Sequence, residues 1–443
     1  MTKIFYPNRR QFVFGALATG LVGLSACEEP KPVAVKPPSP ALSATAATIK
    51  SSLPPIEPTT MIPNQGNAII AADEMLNYFA KVLDTPSNLI HAIRAFGKNF
   101  KRADGSSALD HLCASYGETV NVNGKSYVKF IRSNVEVHDN SFLKTFLEAG
   151  VSPTQPITVR GSKFTLQDVS EHAKSLFRFD TSDISKYDTN YAHDHLPWGL
   201  IALSTLMPGG KGTWANAYNE TVNLSDVIDK ALLEYETKCE LTKETQAKGE
   251  EVPMTFLTEM EKFACFGGHT IYAFLACLKN GYTDKNLKSR IQAVIKHTIY
   301  LSAKDADILE TKYRTLGKGP ISPNPQEEAM LEANMKKNGI TKDEVIEMLT
   351  QRALIKLQGH LFESINYAKL HKLYQPTAQD QKYIQAGEQR LYDSIVKFRA
   401  LKLEQLKNFE PKQLGDAMIA VAHASRAMKL LTKENPDTNP KTI

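Results

Sequence analysis

The sequence predicts a mainly helical protein, on three observations. Apolar residues recur every three or four positions through most of the chain beyond residue 68. Period-two alternation is confined to two short stretches. Joints rich in Pro and Gly, such as "GKGPISPNP", cut the helical pattern into segments of ordinary length.

Taken in order, the first helical face is Ile69, Ala72, Leu76, Phe79 and Leu83, and "PSNLIHAIRAFGKNF" follows with its own face and a glycine near its end. "TVNVNGKSYVKF" places Asn123-Gly124 between alternating residues, the two-residue turn that matches strand twist, so a β-hairpin is expected there. "PITVRGSKFTL" repeats the pattern around Arg160-Gly161. Between them, "VEVHDNSFLKTFLEAG" offers Asp139 and Asn140 as caps of a helix, beside His138. Helices then dominate, over roughly 197–207, 224–239, 253–265, 269–280, 287–301, 303–315, 326–338, 341–374, 377–406 and 411–432. They arrive in pairs, a charged amphipathic one beside a more apolar one. The globular domain is set at 68–433, its part up to residue 190 carrying the hairpins, with a fraying tail over 434–443.

The first 26 residues have a basic start (Lys3, Arg9, Arg10), an apolar stretch from Phe12 to Leu24 and small residues before Cys27, the layout of an export signal. Leu24-Ser25-Ala26-Cys27 resembles the bacterial lipobox, which implies cleavage before Cys27, lipid on that cysteine, and a membrane partner on the periplasmic side. Arg9-Arg10-Gln11-Phe12 resembles a twin-arginine signal, with Asn8, Val13 and Phe14 departing from its usual pattern. Glu28 after the cysteine leans towards the outer membrane. Nine prolines between Pro30 and Pro63 make residues 27–67 an extended tether, too poor in apolar surface to fold alone.

Three of the 53 basic residues and none of the 48 acidic ones lie in residues 1–26, so the net charge falls from +5 to +2 without them. With no basic run interleaved with aromatics, nucleic-acid binding is not expected. Cys113, Cys239, Cys265 and Cys277 remain after Cys27; disulfides and buried free thiols both stay open, and the absence of CxxC argues against a thiol redox motif. No cofactor is implied.

Four histidines in relatively apolar segments are each followed three residues later by a bulky functional side chain: His195 with Trp198, His269 with Tyr272, His360 with Glu363, and His423 with Arg426. Positions i and i+3 share a helix face, and Tyr367 and His371 extend the His360 stripe. An apolar helix with one polar stripe suits an inner helix around a central cavity. The organisation resembles the α/α toroids of terpene cyclases, polysaccharide lyases and helical glycoside hydrolases, and "HLPWGLIA" with "FGGHTIYAF" resembles a pattern in uncharacterised bacterial helical proteins. The aspartate-rich and Gln-Trp motifs of those enzymes are absent, so no catalytic role carries over.

Two functions follow as expectations. In the first, the protein is an envelope enzyme acting on a polysaccharide or other polymer. His195, His269 and His360 then transfer protons, Glu363 and Asp194 assist, and Trp198, Tyr272, Tyr367, His423 and Arg426 line the binding surface. In the second, it is a tethered scaffold that docks an envelope protein. The HxH pair His193 and His195 is a minor metal candidate that needs a third ligand such as His269 or Asp188. Pro197, with Asp194 or His195 near the cap, reads first as a polar helix start. His91, His111, His172 and His297 read as ordinary core or surface residues.

Overall fold

The computed structural model describes residues 53–131, 138, 140–177, 196–248, 265, 267–322 and 324–432. Among these the protein is mainly helical, with three two-stranded antiparallel hairpins. In chain order the elements are α1 (Gln65–Leu83), α2 (Pro86–Phe96), α3 (Ala108–Tyr116), β1 (Gly117–Val122), β2 (Lys125–Phe130), α4 (Ser141–Glu148), β3 (Ile157–Val159), β4 (Ser162–Phe164), α5 (Leu166–Leu176), α6 (Leu196–Leu206), β5 (Thr213–Ala215), β6 (Thr221–Asn223) and α7 (Leu224–Lys248). Then come α8 (Gly268–Lys279), α9 (Leu287–Leu316), α10 (Pro325–Lys337), α11 (Lys342–Leu370), α12 (Ala378–Arg399), α13 (Leu403–Phe409) and α14 (Pro411–Lys429).

Both hairpins read from the sequence form. Asn123 and Gly124 adopt φ of 53° and 80°, the paired left-handed residues that a two-residue turn between twisted strands requires, and Arg160 and Gly161 do the same. The β5–β6 hairpin carries no such turn dipeptide and was not anticipated. Helix starts follow local chemistry: Thr165, Thr341 and Thr377 each close a capping box with Asp168, Glu344 and Asp380. Asn140 precedes α4 in a left-handed conformation and makes no side-chain cap bond. The two helices expected over 287–315 are one, α9, whereas the long one expected to 406 breaks at Ala400 into α12 and α13. The helix expected over 253–265 lies almost wholly outside the described residues. No helix among those residues is long and apolar enough to cross a membrane, and Cys113, Cys239 and Cys277 are buried free thiols.

Six helices pack in a closed cycle of contacts: α2 on α4, α4 on α6, α6 on α8, α8 on α11, α11 on α14, and α14 back on α2. Other helices back this cycle, with α1 on α14, and α9 and α12 on α11. Close approach within the cycle depends on small residues. A Cβ on Gly359 would stand 3.1 Å from the Ala424 nitrogen, where α11 meets α14, and one on Gly268 would stand 2.6 Å from the Cβ of His360, where α8 meets α11. Side chains then lock the crossings: Asn366 Nδ2 donates to the Ala427 carbonyl at 2.9 Å, and Asn280 Nδ2 to Ser204 Oγ at 3.1 Å.

Met418 on α14 is fully buried in the continuous apolar core. Met418→Ala is expected to lower unfolding free energy by about 2–5 kcal/mol, through lost transfer energy and the void left behind. Chemical denaturation checks this, and a loss of a few tenths would mean that α14 is not packed as described.

Candidate functional site

The inside of the helix cycle is polar. Helix α2 contributes His91 and Arg94, α4 contributes Lys144 and Glu148, and α8 contributes His269 and Tyr272. Helix α11 adds His360 and Glu363, and α14 adds His423 and Arg426. Each pair is three or four residues apart, so one helical face delivers both members. Except for His91 and Glu148, which keep slight exposure, these side chains are buried.

Ion pairs make the charged part tenable. Arg94 Nε donates to Glu148 Oε2 at 2.6 Å, and its Nη2 lies 2.5 Å from Glu363 Oε1. Arg426 Nη1 reaches that same Glu363 oxygen at 2.7 Å, and Lys144 Nζ sits 2.9 Å from Glu148 Oε2. Burial alone would raise both carboxyls. Arg94 and Arg426 overcome it at Glu363 and hold it at about 2, and Arg94 with Lys144 pull Glu148 well below the usual carboxylate range. Lys144 is pushed down to about 8, by burial first and then by the neighbouring Arg94. The three cations surround the ring of Tyr272, at 5.3 Å (Arg94), 5.6 Å (Arg426) and 5.9 Å (Lys144) from its centroid. Burial in turn raises the Tyr272 hydroxyl well above its ordinary value.

Beside this charged layer lie the imidazoles. The rings of His360 and His423 stack at 3.8 Å, and His269 stands edge-on to both, at 4.6 and 4.9 Å. Burial drives all of them to the neutral form: His360 falls to about 3, and His269 and His423 fall well below 6.5. Their hydrogen bonds fix two tautomers. His360 Nδ1 lies 2.6 Å from the Lys356 carbonyl oxygen, which can only accept, so the proton is on Nδ1. His423 Nδ1 lies 2.6 Å from Glu363 Oε2; that carboxylate is ionised, so His423 is the donor there too. Arg94 Nη1 is also 3.1 Å from His423 Nδ1. The nitrogen has only one hydrogen or one lone pair to offer, and the shorter contact to a full negative charge decides it. The Nε2 atoms of His360 and His423 are therefore bare lone pairs, buried and without any hydrogen-bond partner.

Cys265, just before α8, completes the group. One ligand atom each from Cys265, His269 and His360 lie within 4.8 Å of one another. The turn that places Cys265 runs through Gly267, whose φ of 81° and close approach to Tyr235 leave no room for a side chain. Sulfur with two neutral imidazoles is a donor set for a borderline or soft transition-metal ion. Metal–ligand bonds of about 2.0–2.3 Å would draw the donors closer than 4.8 Å.

The structure brings together six residues expected from the sequence: His269, Tyr272, His360, Glu363, His423 and Arg426. Glu363 is buried among cations, not on a solvated face. Tyr367 packs against Tyr272 at 4.8 Å. Trp198 is buried between His138, stacked at 3.9 Å, and His269 at 4.5 Å. His371 ends α11 as its C-cap, beside Tyr367. His193, Asp194, His195 and Asp188 lie outside the described residues, as do Cys27 and the tether up to residue 52. Sequence reasoning missed Arg94, Lys144, Glu148 and Cys265, and passed over His91. One signal was available: "HAIR", residues 91–94, has the same His-to-Arg spacing as "HASR", residues 423–426. His297 is elsewhere, 2.6 Å from Thr242 Oγ1.

The buried neutral imidazoles give stability a pH dependence. Both His91 and His360 have an ordinary value of 6.5, and the fold lowers them to about 4 and about 3, with burial the main cause. Below pH 6.5 the unfolded chain binds more protons than the folded one. Stability from these groups is thus complete above that pH and is lost as pH falls towards 4, by about 1.4 kcal/mol per unit for each histidine. Urea unfolding of metal-free protein between pH 7.5 and 4.5 is expected to show this decline; a flat profile would contradict the burial.

No protein-family model matches the chain, and comparison with curated proteins and with solved structures finds no match.

Proposed function

We propose that this protein is a metalloprotein of the bacterial envelope. In this reading a lipid on Cys27 tethers it to the membrane, the Pro-rich segment spaces the body from the surface, and the helix cycle encloses one transition-metal ion bound by Cys265, His269 and His360. A zinc-class divalent ion fits sulfur and imidazole donors best. The cycle of six inner helices backed by others supports the α/α-toroid arrangement, with the metal at its centre.

The observation that carries the reading is that the donor atoms of Cys265, His269 and His360 lie together and that the tautomer of His360 is fixed. Metal-ligating histidines commonly donate one ring N–H to a carbonyl or carboxylate, which fixes the tautomer and turns the other nitrogen inward as a lone pair. His360 does this with Lys356 and His423 with Glu363. A buried lone pair without a partner is costly, and a metal ion is a partner that His360 can share with His269 and the Cys265 thiol. Trp198 against His269 excludes water from that side. The proton transfer expected of His269 and His360 in a polymer-cleaving enzyme needs a route for a polymer to reach these buried rings. Two hollows in the described surface, of about 370 Å³ between α7 and α9 and about 250 Å³ bordered by α11, α12 and α14, are lined by none of His269, His360 and His423.

The test is metal analysis. Protein purified without added metal, or stripped and reloaded with cobalt(II), is expected to hold one ion per chain and to show a thiolate-to-cobalt band. Cys265→Ser is expected to remove that band, and His269→Ala or His360→Ala to weaken binding by more than about tenfold. A folded protein that takes up no zinc, cobalt, iron or copper would overturn the reading.

A further inference from the structure

Helix α10 presents most of its surface to solvent. Of its 13 residues Met335 is the only buried one, and Leu331 beside it packs partly against the core. On the opposite side Met330 is 73% exposed, and Gln326, Ala329, Ala333 and Lys337 are exposed with it. A helix of this length is marginal in water on its own. Its start is set by local chemistry. Asn324 Oδ1 accepts from the Gln326 amide at 3.0 Å, Pro325 opens the first turn, and Glu327 accepts from Ser322 Oγ at 2.7 Å. Those bonds explain why the helix forms, but not what its outer face is for.

One exposed methionine needs no explanation by itself. The pattern around it does. Gln326, Met330, Ala333 and Lys337 follow the i, i+4, i+7, i+11 spacing of a coiled-coil seam, with Met330 and Ala333 at its middle. Charge is also ordered along the axis. Glu327, Glu328 and Glu332 occupy the first two turns, and Lys336 and Lys337 occupy the last. Such a helix repels a parallel copy of itself, like charge beside like, and complements an antiparallel one. About a two-fold axis between Met330 and Ala333, each Met330 lies over the other copy's Ala333, large against small. Glu327 of each copy then comes level with Lys336 of the other.

We propose that α10 is a self-association surface, through which two copies of this chain pair as antiparallel helices. The contact is isologous, so one seam serves both copies and closes the assembly at two. The proposal does not depend on the metal reading. A helix of this size is about 20 Å long, and its seam buries less than the roughly 1,600 Å² of a standard interface, so a dissociation constant in the micromolar range is expected.

Sedimentation equilibrium of the purified protein, from about 1 to 200 μM, is expected to show a monomer–dimer equilibrium that weakens as salt is added. Met330→Asp puts two like charges into the seam and is expected to weaken the dimer by more than about tenfold, with the melting temperature kept. Should that variant fail to fold, Ala333→Asp on the same exposed face makes the same test. Lys336→Glu combined with Lys337→Glu sets acid against acid and is expected to weaken the dimer by about tenfold. Orientation is read by mixing Met330→Cys with Ala333→Cys under mild oxidation, where disulfides between the two variants are expected to outnumber those within either. A monomer throughout the range overturns the proposal, and so does a monomer that instead binds anionic lipid vesicles through Met330. A dimer that Met330→Asp and Ala333→Asp leave at wild-type affinity overturns the assignment to α10. Preferential cross-linking of Met330→Cys to itself overturns the antiparallel arrangement.

Discussion

Glu363 is the side chain on which the centre of this protein depends. One of its oxygens binds guanidinium groups from α2 and α14, and the other accepts the Nδ1 hydrogen of His423. A buried carboxylate with two buried arginines is stable only as a set, since removing one member leaves uncompensated charge at a cost of about 3–5 kcal/mol. The set therefore ties three helices to one geometry more firmly than apolar packing alone specifies. It also decides a chemical state: an ionised Glu363 requires that His423 donate, and so requires that the other nitrogen of His423 be a lone pair.

The helix cycle brings polar side chains from separate helices to that one centre. Glycine and alanine at the α8–α11 and α11–α14 crossings let the backbones approach until His269, His360 and His423 touch. Aromatic rings seal the result. Trp198 covers His269, and Tyr272 spreads its face before the three cations. Packing and charge pairing are thus mutually dependent. Without the close crossings the ionic set would be wet and weak, and without the ionic set the polar side chains would not stay inside.

Much of the fold was legible in the sequence, and the reasons are local. Asn123-Gly124 fixes a hairpin because few other dipeptides supply two left-handed residues in succession. Thr341 with Glu344, and Thr377 with Asp380, announce helix starts through bonds within four residues. The spacing of His269 to Tyr272, His360 to Glu363 and His423 to Arg426 showed which residues share a face. It could not show that the faces of six helices converge. Lys144 and Glu148 have the i,i+4 spacing of many exposed helix pairs, and nothing near them in the chain says that α4 is enclosed. Cys265 stands four residues before His269, an interval that metal ligands use, but the third partner, His360, comes from α11, far along the chain. The β5–β6 hairpin turns through Asn216 and Asn219, without the two-residue dipeptide that marks the other two.

The central claim is that the ring interior presents neutral imidazoles whose Nδ1 atoms are protonated and whose Nε2 atoms are free. Nitrogen-15 NMR of metal-free protein labelled at histidine measures this directly. At pH 6 the account expects His360 and His423 as neutral Nδ1–H tautomers, with Nε2 shifts of an unprotonated ring nitrogen. Imidazolium signals, or Nε2–H tautomers, for these two residues would contradict it.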